Sequence, residues 1–205
     1  MAPEPPSTPF ESGAPYWYWL GGRPALDFVN TRRERWRGRI ECLCSAADLG
    51  EWLARAGLLA RPALAGRAML VAAVELREAI DDGVQAAVAG EAADPSALAV
   101  IDGWLEQAPR PSLQAGPGGV AVLGERPAGD PFEAALGAIA FDAAQMLGRP
   151  RERERLRICA SETCSARFYD RSPAARRRWC SMALCGNVAK ARRFRARIPT
   201  NERPA

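Results

Sequence analysis

The sequence predicts a mainly α-helical protein with one small β-hairpin, an α+β fold class: a multihelical N-terminal domain followed by a small C-terminal module built around four cysteines. Three observations carry this. Apolar residues recur at helical spacing in four segments between residues 45 and 148, each opened by a Ser, Pro or Asp-Pro signal. A single Gly-rich turn between two β-prone runs interrupts them. Beyond residue 149 the pattern changes to Cys159-x4-Cys164 and Cys180-x4-Cys185 in a strongly basic setting. The expected division is a disordered tail at 1–15, a helical domain at 16–148 and a basic module at 149–205. Hydrophobic residues make up 48% of the 205, enough for a real core.

Residues 1–15 hold five prolines and little to bury, so they are expected to be a mobile tail. Tyr16 to Leu20 (YWYWL) is an aromatic run that suits a short strand or a docking anchor. In Ala25-Leu26-Asp27-Phe28-Val29-Asn30-Thr31, Leu26, Phe28 and Val29 are expected core. Asp27, Asn30 and Thr31 are polar groups set among them. They are turn or cap residues by type, and the first candidates for a ligand pocket.

Ser45 caps a helix over SAADLGEWLARAG, with Asp48 three residues on as its capping-box partner and Gly57 as its stop. Pro62 is predicted to open a long helix to about Ala89, with Met69, Ala72, Leu76, Ile80, Val84 and Ala87 as its apolar stripe. Asp94-Pro95 starts a third helix carrying Leu98, Ile101 and Leu105. Asp130-Pro131 starts a fourth, with Glu133 as capping-box partner and Leu136, Ile139, Ala143 and Leu147 at helical spacing. Between these two, Ser112–Ala115 and Val120–Leu123 flank Gly116-Pro117-Gly118-Gly119, a hairpin turn that lacks the spacing and lysine of a phosphate loop. Arg149 to Arg157 reads as a charged connector. Ser172-Pro173 is predicted to start a short helix holding Arg176, Arg177 and Arg178, and a last helix is expected after Cys185 to about Arg197.

The two cysteine pairs, each on a tight turn, have the spacing of a tetrahedral structural zinc site. There is no histidine, so such a site must be all-cysteine. Two disulfides would need an oxidising compartment. No secretory signal pattern and no membrane-length apolar run occur, so a cytoplasmic protein with reduced thiols is expected. Zn²⁺ through Cys159, Cys164, Cys180 and Cys185 is therefore favoured. Phe168 and Trp179 are expected to pack around it, because so small a module needs both metal and aromatics for a core. Cys42 and Cys44 form a lone C-x-C, read as free thiols.

The net charge of +4 hides an asymmetry. Residues 149–205 hold sixteen Lys+Arg against five Asp+Glu, whereas the rest carries a net −7. A site of four thiolates and Zn²⁺ needs only a few nearby cations, so the excess points to a polyanion. On the last helix, Ala191, Phe194 and Ile198 form an apolar stripe, and Lys190, Arg193 and Arg197 a basic one beside it, with Arg192 and Arg195 elsewhere on the surface.

These residues resemble a known family. Cys159-Ala-Ser-Glu-Thr-Cys164, Arg167-Phe168-Tyr169-Asp170, Arg178-Trp179-Cys180-Ser181-Met182 and Cys185-Gly186-Asn187 resemble the CGNR zinc-finger module. Ala25 to Thr31 and Asp48 to Leu59 resemble the ABATE domain that usually precedes it. The resemblance spans roughly residues 18 to 197 and implies a transcription regulator, in part stress-linked. The pattern carries over at the four cysteines, Asp170, Trp179, Gly186 and Asn187. It departs at Val188, where the family has the arginine of its name.

The expectation is a DNA-binding regulator that contacts double-stranded DNA through Arg176, Arg177, Arg178, Asn187, Lys190, Arg192, Arg193 and Arg197. The acidic body would serve as sensor for a small-molecule effector or as a homodimerisation domain. An RNA- or ribosome-associated role is the alternative, disfavoured because the module offers few aromatics to spare for stacking bases. An enzyme is not expected: no nucleophile–base arrangement is visible, and four thiolates leave no open position on a zinc ion.

Overall fold

The computed structural model describes residues 17–36, 40–126 and 129–197, with side chains to residue 192. The expected tail at 1–15, Tyr16 and Ile198 lie outside the described residues, as do the side chains of Arg193, Phe194, Arg195 and Arg197.

The chain enters through Trp17, which is buried, and Trp19, whose ring stacks on Trp52 at 5.5 Å. The aromatic run thus docks as irregular chain, not as a strand. Helix α1 (Pro24–Val29) has proline at its start and buries Ala25, Leu26, Phe28 and Val29. Strands β1 (Arg32–Arg33) and β2 (Ile40–Glu41) follow as an antiparallel pair. Helix α2 (Ala46–Arg55) has the predicted capping box: the Ser45 hydroxyl accepts the Asp48 N–H, and the Asp48 carboxylate accepts the Ser45 N–H at 2.7 Å.

The long helix begins later than predicted. Helix α3 (Arg67–Ala89) starts five residues after Pro62, with Gly66 as its N-cap. The segment before it is extended because it crosses α2, where the Ala63 carbonyl occupies the space a side chain at Gly50 would need. Leu76, Ile80 and Val84 are buried as expected, whereas Met69, Ala72 and Ala87 are half-buried and Ala73 and Ala79 take inner positions. Two charged residues, Arg77 and Asp81, are buried with them.

Helix α4 (Pro95–Leu105) is capped by Asp94, and α5 (Pro131–Gly148) by Asp130, whose carboxylate accepts the N–H groups of Phe132 and Glu133. Between them lie β3 (Arg110–Ala115) and β4 (Ala121–Arg126) in the predicted hairpin. Helices α1 to α5 enclose one core, led by Leu26, Phe28, Trp52, Leu76, Ile80, Leu136 and Ile139.

The connector is structured. Helix α6 (Pro150–Arg153) leads into β5 (Leu156–Ile158), and Leu156 is buried in the helical core. Strand β5 pairs with β6 (Arg167–Tyr169) around the first cysteine turn. There are thus three two-stranded sheets among the described residues, where the sequence shows one. The other two have strands of two or three residues, too short for alternation to register. The predicted helix at Ser172 is a turn instead. The buried Asp170 carboxylate accepts the N–H groups of both Ser172 and Arg177, closing a loop that a helix could not make. After a π-helical turn at Met182–Gly186, α7 (Asn187–Arg197) runs as predicted. No helix of the described residues is long and apolar enough to cross a membrane.

Candidate metal centre and nucleic-acid interface

Two chain segments bring the four cysteines together. In the first, the Cys159 N–H donates to Ala166 O at 2.9 Å and the Cys164 N–H to Ser161 O at 3.1 Å, closing a tight turn. The Ala166 N–H points at Cys164 Sγ, 3.4 Å away. In the second, the Ser181 carbonyl accepts the Cys185 N–H at 3.0 Å, and the Ser181 hydroxyl accepts the Leu184 N–H. All four sulfurs lie within 4.8 Å of one another. Cys164 and Cys180 Sγ are 3.8 Å apart, and Cys180 and Cys185 Sγ 3.7 Å. A tetrahedron of sulfurs around an ion at about 2.3 Å has edges of about 3.8 Å. The donor set therefore fits a tetrahedral metal ion with four thiolate ligands.

Phe168, fully buried, and Trp179, half-buried, pack on the cysteines as expected, joined by Leu20 from the N-terminal segment. The sulfurs also compete for protons. Hydrogen bonds from Cys164 and Cys180 hold the Cys159 thiol far below its ordinary range, while the same kind of contact, with Cys159 and Cys164, pushes Cys180 far above it. Four ionised thiolates at this spacing need a cation to offset their repulsion. Cys42 and Cys44 stand apart from this cluster; burial pushes the Cys42 thiol up to about 12, which keeps it protonated and unreactive.

Strand β6 joins the metal centre to the helical body. The Asn30 side chain pairs with the backbone of Arg167 in both directions: its amide donates to Arg167 O at 2.9 Å, and its carbonyl accepts the Arg167 N–H at 2.8 Å. Next along the strand, the Tyr169 N–H donates to Gly21 O at 2.8 Å. The outer edge of β6 is thus completed by the body. Gly21 in turn gives its N–H to the Asp27 carboxylate at 2.7 Å, and a side chain at Gly21 would strike the Asp27 N and Leu26 Cβ.

The Arg167 side chain is 2% exposed. It reaches Asp81 of α3 through Nε at 2.5 Å and Nη2 at 3.1 Å, and Arg35 shares the same carboxylate at 2.9 Å. One turn earlier, Arg77 is clasped by Glu41 at 2.5 Å on both nitrogens and also donates to Thr31. Glu78 accepts from Arg32, Arg35 and Arg77. Burial raises the Glu78 carboxyl, but the hydrogen bonds and charges of Arg35 and Arg77 outweigh it and bring it down to about 2. This network is absent from the sequence-based expectations. Its one signal in the chain is the charge pair Arg77 and Asp81, four residues apart, on the buried side of a helix.

Of Asp27, Asn30 and Thr31, Asn30 lines a small cavity of about 170 Å³ beside Cys164 and Cys185, whereas the contacts of Asp27 and Thr31 are made within the fold. Asn30 holds Arg167. Thr31 donates to Phe28 O at 2.7 Å and accepts from Arg77. Asp27 anchors Gly21, and burial raises its carboxyl to about 6. All three serve as turn and clamp residues.

Arg176, Arg177, Arg178, Asn187, Lys190 and Arg192 are all exposed, but their contacts differ. With Trp179 and Met182 below them, Arg176, Arg178 and Lys190 line a groove of about 350 Å³ between the Asp170–Cys180 loop and the start of α7. Arg178 lies over the Trp179 ring at 4.5 Å. Arg177 lines the same groove and has a structural role besides, since its guanidinium donates to Cys180 O at 2.6 Å and covers Phe168. Arg192 pairs with Glu162 at 3.1 Å. The candidates Arg193 and Arg197 lie on α7, with side chains outside the described residues. Val188 is 42% exposed on its first turn.

Two family models match the chain. The ABATE model, described as "putative stress-induced transcription regulator", matches residues 22–150. The CGNR zinc-finger model matches residues 155–198, which contain all four clustered cysteines. No curated protein matches the chain.

Proposed function

The chain belongs to the ABATE family and carries a CGNR zinc finger, and on that premise we propose that it is a DNA-binding transcriptional regulator, not an enzyme. Zn²⁺ is held by Cys159, Cys164, Cys180 and Cys185 and has a structural role, since four thiolates fill its coordination shell. When bound it supplies folding energy and no reactive position. The helical body is the sensor or dimerisation domain, and the protein works in the cytoplasm.

The observation that carries this reading is the basic groove beside the cysteine cluster. Arg176, Arg178 and Lys190 face one opening from two segments that the metal-binding turns fix. Three cations on a rigid frame suit the phosphates of a duplex, and the exposed Asn187 stands three residues before Lys190 on the first turn of α7. Trp179, the nearest aromatic, is half-buried and covered by Arg178. That favours duplex contact over the base stacking typical of single-stranded RNA.

The test is a titration of the zinc-loaded protein against duplex DNA, single-stranded DNA and RNA at two salt concentrations. Duplex DNA should bind tightest, with affinity falling steeply as salt rises, because each neutralised phosphate releases counterions. Tighter binding to RNA would transfer the groove to an RNA-associated role. No salt-dependent binding to any of the three would overturn the reading.

A further inference from the structure

A second groove, outside the metal centre, opens between the C-terminal half of α3, α4 and the end of α5, with α6 at its edge. Its volume is about 980 Å³. Its walls are alanine, glycine and leucine, among them Ala87, Leu98, Ala99, Ala144 and Leu147. Leu98 stands 43% exposed there, an apolar side chain left facing water. Sites for small organic molecules are concave, mostly apolar and about 300–1,000 Å³ in volume, with few polar groups. This groove meets each criterion, whereas the cavity that Asn30 lines has only about 170 Å³.

The polar groups at its rim select the ligand's charge. Glu91 and Asp102 are two carboxylates against one guanidinium, Arg153. Arg153 already donates to the Leu147 carbonyl at 2.9 Å, so part of its binding capacity is spent within the protein. The body around the groove carries a net −7 over residues 1–148. The local field therefore repels organic anions and favours cations. We propose that this groove binds a lipophilic amine or similar apolar organic cation, with the apolar part between α3, α4 and α5 and the charge at Glu91 and Asp102.

The site adjoins the arm that carries the metal centre. Arg153 and Glu152 are neighbours on α6, and Glu152 accepts a hydrogen bond from the Tyr169 hydroxyl of β6 at 2.8 Å. Occupation is nonetheless separable from DNA binding, and the test reads ligand binding alone.

The zinc-loaded full chain is titrated with the neutral dye N-phenyl-1-naphthylamine, whose fluorescence rises in apolar surroundings. The dye is then displaced with 4-phenylbutylamine, 4-phenylbutanol and 4-phenylbutyrate, which share one skeleton and differ in charge. The amine should displace the dye about tenfold better than the carboxylate, the size of effect expected from a close charge pair at a protein surface. Ala99→Trp, on an exposed position of α4, should fill the groove and abolish dye binding with an unchanged circular dichroism spectrum. Asp102→Lys should reverse the preference toward the carboxylate. If Ala99→Trp fails to fold, the Asp102→Lys reversal decides the matter. Absence of dye binding, full binding by folded Ala99→Trp, or a carboxylate preference in the unmutated protein would each overturn the proposal.

Discussion

Arg167, three residues beyond the cysteine ligand Cys164, forms a two-point ion pair with Asp81 in the middle of α3, and neither side chain is more than 4% exposed. The guanidinium reaches from the metal module into the helical body. Its backbone is held at the same time by Asn30. The two modules therefore share one buried polar junction, and disturbance of either reaches the other.

Asp81→Ala should be among the most damaging single substitutions. It leaves Arg167 and Arg35 buried without their common partner, a loss of about 3–5 kcal/mol for a broken buried pair. Replacing both ends with apolar residues, Asp81→Leu with Arg167→Met, should recover much of it, since two desolvated charges vanish together. Urea melts of Asp81→Ala and the double variant check this; equal damage in both would contradict it.

Metal removal should loosen more than the module. A structural zinc can contribute roughly 10–16 kcal/mol to a small domain. Because β6 carries both Arg167 and the Asn30 clamp, chelation should also lower protection in α1 and in α3 around Asp81. A module joined to the body by a plain connector, as the sequence suggests, would leave the body intact on chelation. Hydrogen exchange with and without chelator separates the two expectations.

Arg176 and Arg177 are neighbours with different roles. Arg176→Ala and Lys190→Ala should each weaken duplex binding and lower the salt slope by about one, with little change in melting temperature. Arg177→Ala should lower the melting temperature, because its guanidinium caps the Cys180 carbonyl and covers Phe168. Thermal melts beside salt titrations on the three variants test the division.

Val188→Arg restores the family's arginine at a position that is 42% exposed. The new charge stays in water, so stability should change by no more than about 0.5 kcal/mol. If the side chain reaches phosphate, affinity for duplex DNA should rise and the log–log salt slope should steepen by about one unit. A marked loss of stability would show instead that the position packs inward.

Asp27 should give the body an unusual pH response. Burial raises its carboxyl to about 6 in the folded chain, above the ordinary 3.8. The folded state therefore holds a proton that the unfolded state has lost, and this contribution to stability falls as pH rises through that window. Glu78, brought down to about 2, acts oppositely, but its effect lies below its unfolded value of 4.5. Between pH 4.5 and 6, Asp27→Asn should thus become more stable relative to the unmutated protein by roughly 1.5 kcal/mol. A difference that stays flat across this range would refute the assignment.

The four helices, the N-caps of three of them and the cysteine cluster are legible in the chain itself, because each depends on neighbours close in sequence. Ser45 finds Asp48 three residues away, Asp94 and Asp130 cap their own first turns, and each cysteine pair closes over five residues. The basic character of residues 149–205 is likewise a matter of composition. Only the tertiary structure decided what Asn30, Arg77, Asp81 and Arg167 do, since Asn30 and Arg167 are 137 residues apart and Arg167 and Asp81 are 86. Periodicity finds apolar faces and says nothing of which buried charges will meet. The same limit moved the start of α3 from Pro62 to Arg67, because the crossing of Ala63 over Gly50 is a contact between segments and not a local propensity. It also separated Arg177 from Arg176: identical side chains on adjacent residues, given different roles by the carbonyl that only the folded loop brings within reach of one of them.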